Sequence, residues 1–204
     1  MPVSERTEVF HGRVWSVVRD QVRIADGEST RDVVIHPGAV AVIAIDDADR
    51  VLLIRQYRHP VAMFLFEPPA GLLDVAGEPP LVTAQRELAE EAGVQAAHWH
   101  TLVDLFNSPG GSSEAIRVYL ASDLRAVPGG RTHTGEAEES HLPQVWVPLD
   151  EAVELVLSGA IGSPSGVAGI LALAAVRSRG GPGLRPADAP WRPRDWLVSH
   201  NRVR

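Results

Sequence analysis

Two strand-length runs, AVAVIAI at 39 to 45 and VLLIRQY at 51 to 57, carry apolar side chains at consecutive positions and are joined by the polar turn DDADR. Successive strand side chains point to opposite sides, so a strand with one wet face would alternate apolar with polar. Strands apolar on both sides must be covered on both sides, which excludes an open sheet washed by solvent on one face. The pair is read as a hairpin within a buried sheet. Other strand-like segments are 98 to 106, 115 to 122 and 144 to 149, and residues 14 to 35 give two or three short strands broken at Asp26-Gly27. Helical patterns cover about 80 to 92, opened by Pro79-Pro80 and closed by Gly93, then 149 to 159, then Ser163-Pro164 to about Arg177. Strands interleaved with a few helices predict the α/β class, a sandwich with a mixed sheet.

Composition narrows the chemistry. A chain of 204 residues with 45% hydrophobic content can bury one core. A formal net charge of −7 repels nucleic acid and anionic membrane surfaces, so neither is expected as a partner. There is no cysteine, which excludes thiolate nucleophiles, thiolate zinc sites and disulfides. All 19 basic residues are arginine, so Schiff-base and P-loop lysines are excluded as well. Neither an apolar leader at the N-terminus nor a run of about 18 apolar residues is present, and a cytoplasmic location is expected.

Against that background the helix at 80 to 92 stands out. Glu87, Glu90 and Glu91 share one face, turned away from an apolar stripe of Leu81, Ala84, Leu88 and Ala92. Like charges at this spacing cost roughly 0.2–0.5 kcal/mol per pair, so the cluster is either a solvated acidic face or a site for a cation. With no cysteine and no histidines at ligand spacing, the oxygens suit Mg²⁺, with Mn²⁺ as a substitute, better than zinc.

Gly71, Glu78 and the run Arg86-Glu87-Leu88-Ala89-Glu90-Glu91-Ala92-Gly93-Val94 resemble the Nudix box, Gly-x5-Glu-x7-Arg-Glu-U-x-Glu-Glu-x-Gly-U, where U is a bulky aliphatic. One departure is present: six residues rather than five separate Gly71 from Glu78. The resemblance implies an α/β/α sandwich, a divalent-metal site and a substrate in which a nucleoside diphosphate is linked to another group. It makes Glu87 and Glu91 the main metal ligands, Glu90 an additional one and the Ala70 carbonyl a backbone ligand, with Glu78 and Arg86 pairing in support. Metal ions suit a diphosphate because they neutralise its charge and activate water.

FEPPAGLLD at 66 to 74, SPGGSSE at 108 to 114 and RQYRHP at 55 to 60 resemble segments of bacterial ADP-ribose pyrophosphatases. By that resemblance Ser108 and Glu114 line the substrate site and Arg58 holds a phosphate, while Arg31 and Glu67 are further candidates for substrate contact. Read alone, the Ser-Pro-Gly-Gly segment is a turn between strands. Trp15 could stack on adenine or simply pack in the core. Residues 128 to 143 fit a closing loop, in which the resemblance makes Glu139 the catalytic base with Glu138 beside it; the next loop acid of the family is His141 here. His98 and His100 flank Trp99 without further ligands, and His11, His36, His59, His133 and His200 show no ligand spacing.

The expected organisation is an N-terminal β-strand dimerisation region at 1–36, a Nudix hydrolase domain at 37–179 and a Pro/Gly/Arg-rich tail at 180–204 that is extended or disordered. In a homodimer the first region would lend residues to the partner's site. The implied activity is Mg²⁺-dependent hydrolysis of ADP-ribose to AMP and ribose 5-phosphate. Alternatives are hydrolysis of another nucleoside diphosphate sugar and a non-catalytic ADP-ribose sensor.

Overall fold

The computed structural model describes residues 1–131, 142–181 and 183–203. The chain opens with an antiparallel meander of β1 (Val3–His11), β2 (Ser16–Ile24) and β3 (Gly27–Ile35), in the order β1-β2-β3. The β2–β3 turn is a two-residue loop, Ala25-Asp26, with Ile24 facing Gly27 across it. Strand β1 was not foreseen, because its sequence VSERTEVFH lacks the apolar face by which buried strands are recognised.

Two further sheets follow. β4 (Ala39–Ala44), β7 (Ala70–Leu72), β8 (Val94–Phe106), β9 (Ala115–Ala126) and β11 (Arg185–Pro186) pair in the order β11-β8-β9-β4-β7. Only β4 and β9 run parallel, so the sheet is mixed, as expected. β5 (Arg50–Arg58), β6 (Met63–Glu67) and β10 (Gln144–Pro148) form the second, in the order β10-β5-β6.

The hairpin expected between 39–45 and 51–57 does not form. Beyond the turn the two strands enter different sheets and keep only the bridge between Ile45 and Val51, with the Asp46 N–H donating to the Arg50 carbonyl at 3.1 Å. β4 is held between β9 and β7, and β5 between β10 and β6. Each thus takes a central place with both edges paired, which leaves neither an edge for the other.

The side chains of β4 supply two cores. Ala41, Ile43 and Ile45 pack with Leu53, Val118, Ile170 and Leu173, whereas Val40, Val42 and Ala44 pack with Leu52, Ala84, Leu88 and Tyr119. Helix α1 (Pro80–Ala92) covers the second core, and helices α2 (Leu149–Leu157) and α3 (Pro164–Ser178) cover the first. This is the α/β sandwich with a preceding small β-sheet that the sequence predicts. The helix boundaries follow their signals: Pro80 begins α1 and Gly93 ends it in the left-handed region at φ 65, while the Ser163 hydroxyl accepts from the Gly166 N–H to start α3. No helix among the described residues is long and apolar enough to cross a membrane.

The tail departs from the expectation of an extended or disordered end. It adds β11 to the five-stranded sheet and forms α4 (Arg192–Ser199), with Trp191 buried in the second core. Arg117, itself buried, stacks over the Trp191 ring at 4.8 Å and donates to the Ala189 and Pro190 carbonyls. One large indole and a buried cation thus anchor a stretch whose Pro/Gly/Arg composition alone reads as unfolded.

Candidate active site

The carboxylate helix is built as its spacing requires, with Ala84, Leu88 and Ala92 in the core and the glutamates turned toward β7 and the loop before the helix. Arg86 organises them. Its Nε and Nη2 donate to Glu78 at 3.2 and 3.1 Å, and its Nη1 donates to Glu87 at 2.8 Å and to Glu90 at 3.0 Å. The hydrogen bond to Glu78, then the neighbouring Glu87, raise the Arg86 pKa above its already high value. The same bond, helped by Thr83 Oγ1 at 2.8 Å, holds Glu78 below the usual carboxylate range. One cation therefore offsets the mutual repulsion of three acids.

Glu91 is buried, 5% exposed, and its Oε2 accepts from the Ala70 N–H at 2.9 Å. Ala70 and Gly71, the first residues of strand β7, thus lie directly against the helix. At Gly71 an added Cβ would fall on the carboxylate of Glu87, far inside van der Waals contact, so only glycine lets that side chain reach the backbone of β7. The extra residue in the box leaves this juxtaposition unchanged. It falls in the loop 73–77, where Gly77 turns at φ 80 with open space around it.

Glu87 and Glu91 lie against Ala70 and Gly71, and Glu90 is tied to Glu87 through Arg86; carboxylate oxygens with a backbone carbonyl are a donor set that fits Mg²⁺ or another hard divalent cation. Among the described residues no three His, Asp or Glu side chains are already drawn into a coordination cluster. Arg86 Nη1 stands between Glu87 and Glu90 instead, so a bound cation would compete with it for those two carboxylates.

Beside β7 opens a cavity of about 510 Å³. It brings together Trp15, Arg58, Glu67, Ala70, Gly71 and Glu114, residues drawn from β2's approach, β5, β6, β7 and the end of the SPGGSSE segment. Arg58 is clamped by Glu67, with Nε and Nη2 both 2.7 Å from Oε2; Glu67 is buried and Arg58 faces outward. Trp15 is not a core residue: it is 41% exposed and meets Phe10 at a ring distance of 6.1 Å.

Ser108 and Arg31 lie outside this cavity. Ser108 sits at φ 55, its carbonyl accepting from the Gly111 and Ser112 N–H groups, so it closes the turn between strands that the Ser-Pro-Gly-Gly run reads as by itself. Arg31 is exposed on β3 and donates to the Ser29 hydroxyl and the Thr30 carbonyl. Glu138, Glu139 and His141 fall outside the described residues.

The cavity also contains residues that the sequence did not flag. Asn107 Nδ2 donates to Glu114 Oε2 at 2.7 Å, and His36 Nε2 stands 3.8 Å from Glu114 Oε1. Asn107 immediately precedes the SPGGSSE segment, a signal that could have been read. His36 had no such marker, because its partner is remote in the chain.

Comparison with known proteins agrees with this geometry. A NUDIX domain model matches residues 35–164. The chain is 47% identical over 187 residues to an ADP-ribose pyrophosphatase of Mycobacterium tuberculosis, spanning 91% of this chain and 88% of that one. It is 36% identical over 155 residues to an ADP-ribose pyrophosphatase of Bacillus subtilis, spanning 75% and 81%. A solved structure described as an ADP compounds hydrolase shares the fold, with a TM-score of 0.74 at 24% identity, covering 88% of this chain and 96% of that one. The box glutamates Glu87 and Glu91 packed against β7 and this breadth of similarity have one reading: the chain belongs to the Nudix family of hydrolases.

Proposed function

We propose that the chain hydrolyses the diphosphate of ADP-ribose, using Mg²⁺, to give AMP and ribose 5-phosphate. The observation that carries the reading is the meeting of Ala70 and Gly71 of β7, flanked by Glu87 and Glu91, with Arg58 and Glu114 in one cavity. The relatives named for ADP-ribose support the choice of substrate.

Glu87, Glu90, Glu91 and the Ala70 carbonyl would hold the metal, which when bound neutralises diphosphate charge and activates water. Arg86 keeps the helix and the preceding loop in register through Glu78. Arg58, held by Glu67, presents a guanidinium to a phosphate oxygen, and Trp15 offers a ring face to adenine. Glu139, with Glu138 beside it, would take a proton from water as the water oxygen bonds to phosphorus and the bridging P–O bond breaks. Ser108 and Arg31 would serve the site only if the SPGG turn shifts or a second subunit contributes.

A homodimer formed through region 1–36 belongs to the same proposal. Exposed apolar side chains in that region support it, notably Val9, Phe10 and Trp15. A cytoplasmic location is also part of it, since charged nucleotide sugars do not cross hydrocarbon unaided. The test is a comparison of initial rates on ADP-ribose, UDP-glucose and GDP-mannose, with and without Mg²⁺, with products identified. Mg²⁺-dependent release of the nucleoside monophosphate, fastest as AMP from ADP-ribose, is expected; preference for another nucleotide sugar, or tight binding without turnover, contradicts the proposal.

A further inference from the structure

The cavity is lined by two chemically different groups of residues. One is the Arg58–Glu67 pair, whose arginine is partly exposed. The other is Asn107, Glu114 and His36, whose arrangement is built in detail. His36 follows β3, and its backbone N–H donates to Ser113 Oγ at 3.0 Å. Its Nδ1 accepts from the Gly38 N–H at 3.0 Å, which puts the ring proton on Nε2. Burial lowers the His36 pKa against the opposing pull of Glu114, so the ring is neutral at neutral pH and Nε2–H is a single fixed donor.

Glu114 is fixed as firmly. Asn107 occupies its Oε2 at 2.7 Å, and its backbone N–H donates to Ser112 Oγ at 3.1 Å. That leaves Oε1 facing His36 Nε2 at 3.8 Å, too far for a direct hydrogen bond. An oxygen placed about 2.8 Å from both atoms would sit about 2 Å to the side of the line joining them, within ordinary hydrogen-bond reach of each. That oxygen must donate to a carboxylate and accept from an imidazole N–H at once. A hydroxyl does both, whereas a phosphate oxygen cannot donate and is repelled by Glu114.

We propose that His36 is a specificity-determining residue which, together with Glu114, binds one hydroxyl of the sugar joined to the diphosphate. This rests on the nucleotide-sugar reading above. It also divides the recognition: Arg58 and the carboxylate helix suit the anionic part of the substrate, and His36 with Glu114 suits a polyhydroxylated group. A diphosphate ester without hydroxyls at that end gains nothing from the pair.

The test uses the full chain and two ligands, ADP-ribose and ADP carrying an ethyl ester in place of the sugar, with binding measured by calorimetry without divalent metal. His36→Phe is expected to weaken ADP-ribose about three- to tenfold, the effect of one hydrogen bond, and to leave the ethyl ester unchanged. His36→Gln, which keeps an N–H donor, should restore most of the loss. Equal weakening of both ligands, no weakening of ADP-ribose, or no difference between the Phe and Gln variants overturns the inference. AMP release by the unaltered chain is followed in parallel. Its absence overturns the hydrolytic proposal alone, because the binding comparison decides the role of His36 by itself.

Discussion

At Gly71 the missing side chain matters more than the conformation. The position needs no positive φ, yet any Cβ there would meet the Glu87 carboxylate. Gly71→Ala is therefore expected to lower kcat about 100-fold or more by displacing Glu87, with a melting temperature close to that of the unaltered chain. A variant with normal turnover would remove Glu87 from the site. Residues of this kind were legible in the sequence because they belong to a run with fixed spacing. Asn107 and His36 were not, since their roles depend on Glu114 being brought to them; His36 is 78 positions away in the chain. Ser108 was legible as a turn and is one.

Helix α1 was readable almost to the residue, since Pro80, Gly93 and the 3.6-residue apolar stripe are local signals. The strands at 39–45 and 51–57 were recognised as buried but wrongly paired, because pairing depends on which edges the rest of the fold leaves open. The start of α1 has no side-chain cap and relies on the link from Arg86 and Thr83 to Glu78. The pKa of Glu78 is lowered on folding, so its contribution is complete above the ordinary glutamate value of 4.5 and is lost as pH falls through the lower folded value. Glu78→Gln should cost about 1 kcal/mol at pH 7, because the pair is partly solvent-screened, and much less near pH 3. Urea unfolding at the two pH values checks this; a cost independent of pH would contradict the ion-pair account.

Over the whole molecule, the tail ties the first sheet to the rest of the fold through Asp20. This fully buried carboxylate accepts from Arg6 Nε at 2.7 Å and pairs with Arg202 Nη1 at 2.7 Å, while Arg6 also donates to the Asn201 carbonyl. Arg194 of α4 adds a 2.6 Å bond to the Pro37 carbonyl, just after β3. Asp20→Ala would leave two cations facing each other and is expected to cost about 2–4 kcal/mol, with residues 183–203 opened to protease. Undiminished protection of the tail would show that the contacts of β11, Trp191 and Arg194 hold it without Asp20. None of this was legible from composition, where Gly, Pro and Arg read as disorder and the three partners lie at opposite ends of the chain.

If the acidic face of α1 holds the proposed metal, losing the Glu91 carboxylate should stop diphosphate hydrolysis. The measurement is the rate of AMP release from saturating ADP-ribose, as a function of Mg²⁺, for the unaltered chain and Glu91→Gln. Release is expected to depend on Mg²⁺ and to fall about 100-fold or more in the variant, with ADP-ribose affinity changed far less. Turnover by Glu91→Gln at the rate of the unaltered chain, or release by the unaltered chain that is indifferent to Mg²⁺, would contradict it.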